Sequence, residues 1–329
     1  MRKIIPFCLG LLATPALADI DKVIDDHILK NTAAFAQSTA EMVTAANTDC
    51  TPAGMKDAYN AAFDAWVQAS HIRFGPVEDN GEGLAIIFWP DKKGMIPKNL
   101  YRMIESKDQV VHDAKLFAGY SVATRGFFAL EQLLYDERFS DYAAGSYSCD
   151  LTRAITVDLA RIAGETHAGW VNGYADTLRT SGADGNDIFL TEKEGPQALF
   201  TNLLGGLEYI YAQRIGRPLG KFEHPKPRRA EARRSMRSMR NIVVSLQALE
   251  EMTLILADGE AWETVELFAS LIQYAKALDD DVFEHLDTHA ANFQIQSLQE
   301  MVAGVHEAIN AEVGSHLGVV AGFNALDGD

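Results

Sequence analysis

Apolar residues recur every three to four positions along most of this chain, and strict alternation is nearly absent, so the pattern predicts helices and no sheet. Ile20, Val23, Ile24, Ile28 and Ala34 begin an apolar stripe that runs to about Asn47. Pro52 sits at a helix start, and Met55, Tyr59, Phe63, Trp66 and Val67 follow at helical spacing. Over 70–96 the period is lost. Gly75, Pro76, Gly81, Gly83, Pro90 and Gly94 predict a long loop there, and a loop of that length in a compact domain is usually functional or a sign of a wrong assignment. Its apolar run, 85–89, is expected to tuck onto the core. The helical pattern returns at Pro97 and runs to Tyr135 with a break near Arg125–Gly126. One long helix is predicted over 149–180 and a linker over 181–186. Further helices are expected at 194–214, 228–257, 260–280 and 281–316. Four long helices on each side of the linker predict an all-α fold of two tandem four-helix bundles, 19–185 and 186–329.

The first residues follow a different logic. Arg2 and Lys3 precede a short apolar run over 4–12, and Ala16-Leu17-Ala18 is a small-x-small site. This is the pattern of a secretory signal peptide, cleaved after Ala18, and it predicts a periplasmic product. Two cysteines then remain, Cys50 and Cys149, both beside helix-edge signals. In an oxidising compartment an even pair predicts a disulfide; two separate buried thiols are the alternative.

Composition narrows the partners. With 47% apolar and 23% charged residues the 329-residue chain is an ordinary folding sequence. It carries 29 Lys plus Arg against 46 Asp plus Glu, a formal charge of −17, which repels phosphate backbones and argues against nucleic acid as a partner. No apolar run reaches the roughly 18 residues of a membrane-spanning helix, so no transmembrane segment is expected after signal cleavage. No Gly-rich phosphate loop follows a strand, no Gly-x-Ser-x-Gly elbow is present, and Cys-x-x-Cys-His is absent.

Several separated segments carry a resemblance. Trp66 is followed by Arg73-Phe74-Gly75-Pro76 and then Trp89-Pro90. Gly126 to Tyr135 reads GFFALEQLLY. Ile215-Gly216-Arg217-Pro218-Leu219 precedes Glu231-Ala232-Arg233-Arg234-Ser235. The tail holds Leu317-Gly318-Val319 and then 322–329, GFNALDGD. In this order the set resembles imelysin-like proteins (peptidase family M75), periplasmic or outer-membrane proteins associated with bacterial iron uptake. The resemblance implies a helical fold of two bundles with a site near their interface. The family signature is Gly-x-His-x-x-Glu, and here it reads Gly126-Phe127-Phe128-Ala129-Leu130-Glu131. A His and a Glu three apart share a helix face and a metal ion, but Phe128 coordinates nothing. The expected role is therefore ligand binding in iron uptake without peptidase activity. A metallopeptidase and a structural adaptor with a decayed site are the alternatives.

The candidate chemistry centres on Glu131, whose helix is apolar on every side, so that a buried carboxylate there needs a partner. Arg73 or Arg125 is the expected partner, since a guanidinium holds a carboxylate or a bound anion in a two-point fork; a structural ion pair is the alternative. Gly126 and Phe128 complete this ligand site. His71, Glu78, Asp79 and Glu82 are spare ligands in the loop, and Glu131 with His71 and Asp79 form a candidate site for iron or another divalent metal ion. His285 and His289 stand four apart on a predicted helix. Leu286 occupies the position of a general base, so a solvated face is the better reading. The run from Lys226 to Arg240 holds Arg228, Arg229, Arg233, Arg234, Arg237 and Arg240 against Glu231. Arg229, Arg233, Arg237 and Arg240 fit a helical stripe. Salt bridges to the acidic N-terminal half are expected of it, with an anion-binding or partner-docking face as the alternative. Expected partners are iron-uptake proteins or a small anionic or metal ligand.

Overall fold

The computed structural model describes residues 20–320, so the signal segment 1–18 and the 322–329 motif lie outside the described residues. Helix α1 covers 20–48, wound as a π-helix over Val23–Leu29 and as an α-helix over Lys30–Thr48. Asp49 is extended, and Pro52, with its φ preset, starts α2 (Pro52–Ala69). The Asp91 carboxylate accepts the Met95 and Ile96 amides at 2.7 and 2.8 Å and so caps α3 (Met95–Ser106). Helix α4 is Gly126–Tyr135. Ser146 caps α5 (Tyr147–Gly169), which continues through Trp170–Tyr174 to Ala175–Arg179. Helix α6 (Glu194–Glu208) continues through Tyr209–Ile215 to Gly216–Leu219. Then come α7 (Ser238–Ala257), α8 (Trp262–Ala277) and α9 (His289–Ile309), the last extending to Leu317. There is no β-strand among the described residues, only an isolated Lys221–His224 bridge.

Three predicted elements are corrected. The helix expected over 97–135 is broken between α3 and α4 into two 3-10 turns around the short helix Ala114–Ala118. The helix expected from 228 begins at Ser238, because Ala232 and Met236 take left-handed φ values of 48° and 57°. The helix expected from 281 begins at His289. The Asp280 carboxylate accepts the amides of Val282, Glu284 and His285, and this turn competes with helix. The 70–96 loop also has structure of its own, a 3-10 segment Gly75–Gly81 and a short helix Glu82–Ile86. Ala85 and Ile86 are buried, so part of the apolar run is tucked inward as expected.

Two cores result. Phe35, Tyr59, Phe63, Phe127, Leu130 and Leu159 pack among α1, α2, α4 and α5. Leu203, Leu246, Phe268, Leu298 and Val305 pack among α6 to α9. Position 185 does not separate them. Val23, Ile24 and Ile28 of α1, with Trp170 and Leu178 of α5, belong to the second core. At 1.5 Å per residue α1 is about 43 Å long, enough to pass from one core to the other. Cys50 and Cys149 form a buried disulfide with Cα atoms 5.3 Å apart, joining the α1–α2 turn to the first turn of α5.

The disulfide closes a loop 99 residues long in sequence separation. Replacing both cysteines by serine is expected to cost about 2–5 kcal/mol, read as a lower urea midpoint. An unchanged midpoint would show that the bond leaves the unfolded chain unconstrained.

Candidate ligand-binding cleft

Every residue of α4 from Gly126 to Leu134 is buried. The motif glycine has a structural cause. Its φ is +72°, and a Cβ there would lie 2.2 Å from the Ala85 carbonyl oxygen and 2.3 Å from that of Ile86, because the Glu82–Ile86 helix rests on the first turn of α4. Phe128 is 4% exposed. It meets Phe63 edge-on at 6.0 Å and stacks against Trp89 at 6.4 Å, 20° from parallel. Glu131 is 1% exposed, and its Oε1 accepts both the backbone N–H and the hydroxyl of Ser235, at 3.0 and 2.8 Å. Burial raises its pKa above the ordinary carboxyl value; the Ser235 bonds and the Arg234 charge oppose that rise.

Phe128 and Glu131 line a cleft of about 610 Å³ between the 89–97 segment, α4 and the 228–234 connector. Trp89 and Phe128 form an aromatic wall. Arg217, Arg228, Arg229, Arg233, Arg234 and Lys92 also line the cleft. Trp89 also lines a second pocket of about 200 Å³ that holds Arg73, Tyr209 and Arg214. Burial, followed by the Glu231 charge, pushes the Tyr209 hydroxyl up to about 12.

The expected partners of Glu131 lie elsewhere. Arg73 is exposed, stacks 4.6 Å over Tyr209, and donates its backbone N–H to Asn202 at 2.7 Å. Arg125 is buried, with Nε 2.7 Å from Asp158 and a second nitrogen 2.9 Å from Glu82. Arg161 bridges the same two acids at 2.9 and 2.7 Å. This is the structural ion-pair alternative, and it anchors the loop to α5. His71 shares a 2.9 Å Nε2–Nε2 hydrogen bond with His27, whose Nδ1 is 2.9 Å from Glu251. Glu78 and Asp79 are exposed. Among the described residues no three His, Cys, Asp or Glu side chains gather closely enough to hold a metal ion, so Glu131, His71 and Asp79 do not make one site. His285 lies in the turn before α9 and His289 at its start, both exposed, so they do not share a helix face.

The basic run divides in two. Arg234 pairs with Asp136 at 2.7 Å, and Arg237 and Arg240 pair with Asp64, so these three make salt bridges to the N-terminal half. The helical stripe is absent, since Pro227–Arg229 is a single 3-10 turn and 230–237 is irregular. Arg228, Arg229 and Arg233 form no ion pair among the described residues and face the cleft instead. Sequence reasoning singled out neither Arg217 nor Ser235 as a site residue, and it read Trp89 as part of the family resemblance and of the apolar 85–89 run, not as a site residue. The one available signal was their membership in the same dispersed motifs.

The imelysin family model (peptidase M75) matches residues 27–316. The chain belongs to the imelysin family. No curated protein matches it. It is similar to the crystal structure of an imelysin-like protein from Psychrobacter arcticum 273-4, with TM-score 0.78 and 18% identity over 92% of this chain and 96% of that one. It is also similar to a structure named as a putative iron-regulated protein A precursor from Parabacteroides distasonis ATCC 8503, with TM-score 0.70 and 14% identity over 91% of this chain and 94% of that one. At these identities the likeness shows the fold. A peptidase metal is not served by the residues present: position 128 offers a phenyl ring, and the Glu131 Oε1 is engaged by Ser235.

Gly126→Ala is expected to lose at least about 1–3 kcal/mol from backbone strain alone, read by urea denaturation. The histidine pair gives a pH signature. Burial, then the His27 charge, holds His71 well below its ordinary 6.5, so the unfolded chain takes up a proton that the folded one refuses. Stability therefore falls as pH drops below 6.5. The His27 bond and Lys30 hold Glu251 at about 2 against an ordinary 4.5, which adds a second loss between those values as pH falls. Thermal unfolding of His71→Asn should flatten the first limb, which opens as pH drops below 6.5, and leave the second.

Proposed function

We propose that this protein is a periplasmic binding protein of the imelysin family that acts in bacterial iron uptake, holds its ligand in the cleft beside α4, and does not hydrolyse peptides. One observation carries the reading. Where the family signature has a histidine, the ring of Phe128 lines the cleft, stacked on Trp89, and Glu131 three residues on is tied to Ser235. A zinc hydrolase needs three protein ligands and an open position for water, and α4 supplies no imidazole. A walled cleft of about 610 Å³ lies within the size range of small-molecule sites.

The periplasmic assignment is supported by the signal pattern of 1–18 and by the disulfide. The role in iron uptake is supported by family membership and by the name of the Parabacteroides protein. Purified protein supplied with zinc is expected to leave unfolded casein uncut, and cells lacking the chain are expected to grow poorly only when iron is limiting. Zinc-dependent cleavage that disappears in Glu131→Gln would establish the peptidase reading in its place. Normal growth under iron limitation would leave a structural adaptor.

A further inference from the structure

We infer that this cleft, taken as the binding site proposed above, receives a small organic polyanion: a carbon-framed molecule bearing two or more carboxylate or phosphate groups, and not a bare metal cation. The first ground is the local charge. Arg217, Arg228, Arg229, Arg233, Arg234 and Lys92 line the cleft on a chain whose formal charge is −17. Two acids oppose them, and both are engaged. Asp91 gives its two oxygens to the amides that open α3, and Glu131 gives Oε1 to Ser235. A metal cation would meet a cationic excess with few free oxygen donors. An anion would meet guanidinium forks suited to carboxylate and phosphate.

The second ground is that these cations lack protein partners. Of the five arginines, Arg234 alone forms an ion pair among the described residues, with Asp136. The Arg217 Nε is buried with no hydrogen-bond partner. Burial and the Arg229 charge lower the pKa of Arg217; burial and the charges of Arg234 and Arg228 lower that of Arg233, against the pull of Glu131. The side chains repel one another in a partly desolvated space, and a bound anion relieves that repulsion. The third ground is the aromatic part of the lining. Trp89 and Phe128 stack, and the Arg217 guanidinium sits 5.4 Å over the Trp89 ring. An aromatic face of this kind packs against a carbon frame, which an inorganic ion lacks.

Calorimetric titration of the mature chain at low salt, with citrate, 2,3-bisphosphoglycerate and zinc chloride as separate probes, tests the inference. One of the two organic anions is expected to bind, more weakly as salt rises, and the tighter of them identifies carboxylate or phosphate as the preferred group. Arg228→Glu/Arg229→Glu is expected to weaken binding about tenfold or more. Both residues are exposed and unpaired, so the fold should survive, as checked by circular dichroism; Arg233→Gln serves as a second variant. Arg240→Gln, in the same run but paired with Asp64 and absent from the cleft lining, is expected to leave binding unchanged. No binding of either anion, binding that both cleft variants leave intact, or binding of zinc alone would overturn the inference. If casein stays uncut in those cases, the ligand class alone has failed. Zinc-dependent cleavage would instead remove the binding reading beneath it.

Discussion

One buried guanidinium, that of Arg237, fastens the two halves of the molecule. It is 1% exposed, lies 4.9 Å over the Phe63 ring, and donates to the Asn60 side chain at 2.8 Å, to Asn241 at 3.2 Å and to Asp64. A buried charge must be paired on nearly every donor, and removing one partner leaves the other uncompensated. The position of Ser238–Ala257 against Pro52–Ala69 is therefore tightly specified. Arg234 to Asp136 and Ser235 to Glu131 extend the seam, while Glu231 holds the connector to Arg214 and Asn241 within the C-terminal half. The connector between the Pro227–Arg229 turn and Ser238 is irregular. Its left-handed turns at Ala232 and Met236 release it from helical geometry.

The same connector makes the cleft. Some of its side chains reach acids of the N-terminal half, Asp64 and Asp136, and others line the cleft with Trp89 and Phe128 and with one another. An acidic protein thus holds a concentrated patch of positive charge at its interface, where low-dielectric walls strengthen the local field. Phe128 belongs to the apolar side of this division. It continues the packing of Phe63 and Phe127, whose rings stack at 4.5 Å, and carries that packing to the cleft surface. An imidazole there would add a polar edge to the wall. The phenyl ring keeps it apolar beside a carboxylate that faces protein donors.

Much of the fold was legible because helical periodicity is a local signal. The stripes from Ile20, Met55 and Glu194 onward mark real helices; the Pro52 boundary follows from proline's fixed φ and the Gly126 boundary from glycine's access to positive φ. Glu131 was legible as a buried carboxylate because every neighbour is apolar. Its partner was not. Ser235 lies 104 residues away, and a serine carries no mark of what it will meet. Arg125 and Arg73 look equally suited to bind Glu131, yet Arg125 is captured by Asp158 and Arg73 by the face of Tyr209.

The sequence by itself determined an all-helical chain and an imelysin resemblance, since each is written in short-range order or residue identity. Tertiary structure alone decided which of the clustered arginines are neutralised and which are left to line the cleft. That choice depends on where distant acids such as Asp64 and Asp136 arrive when the bundles dock. Coulomb interactions act through space and not along the chain, so spacing in the sequence could not assign them.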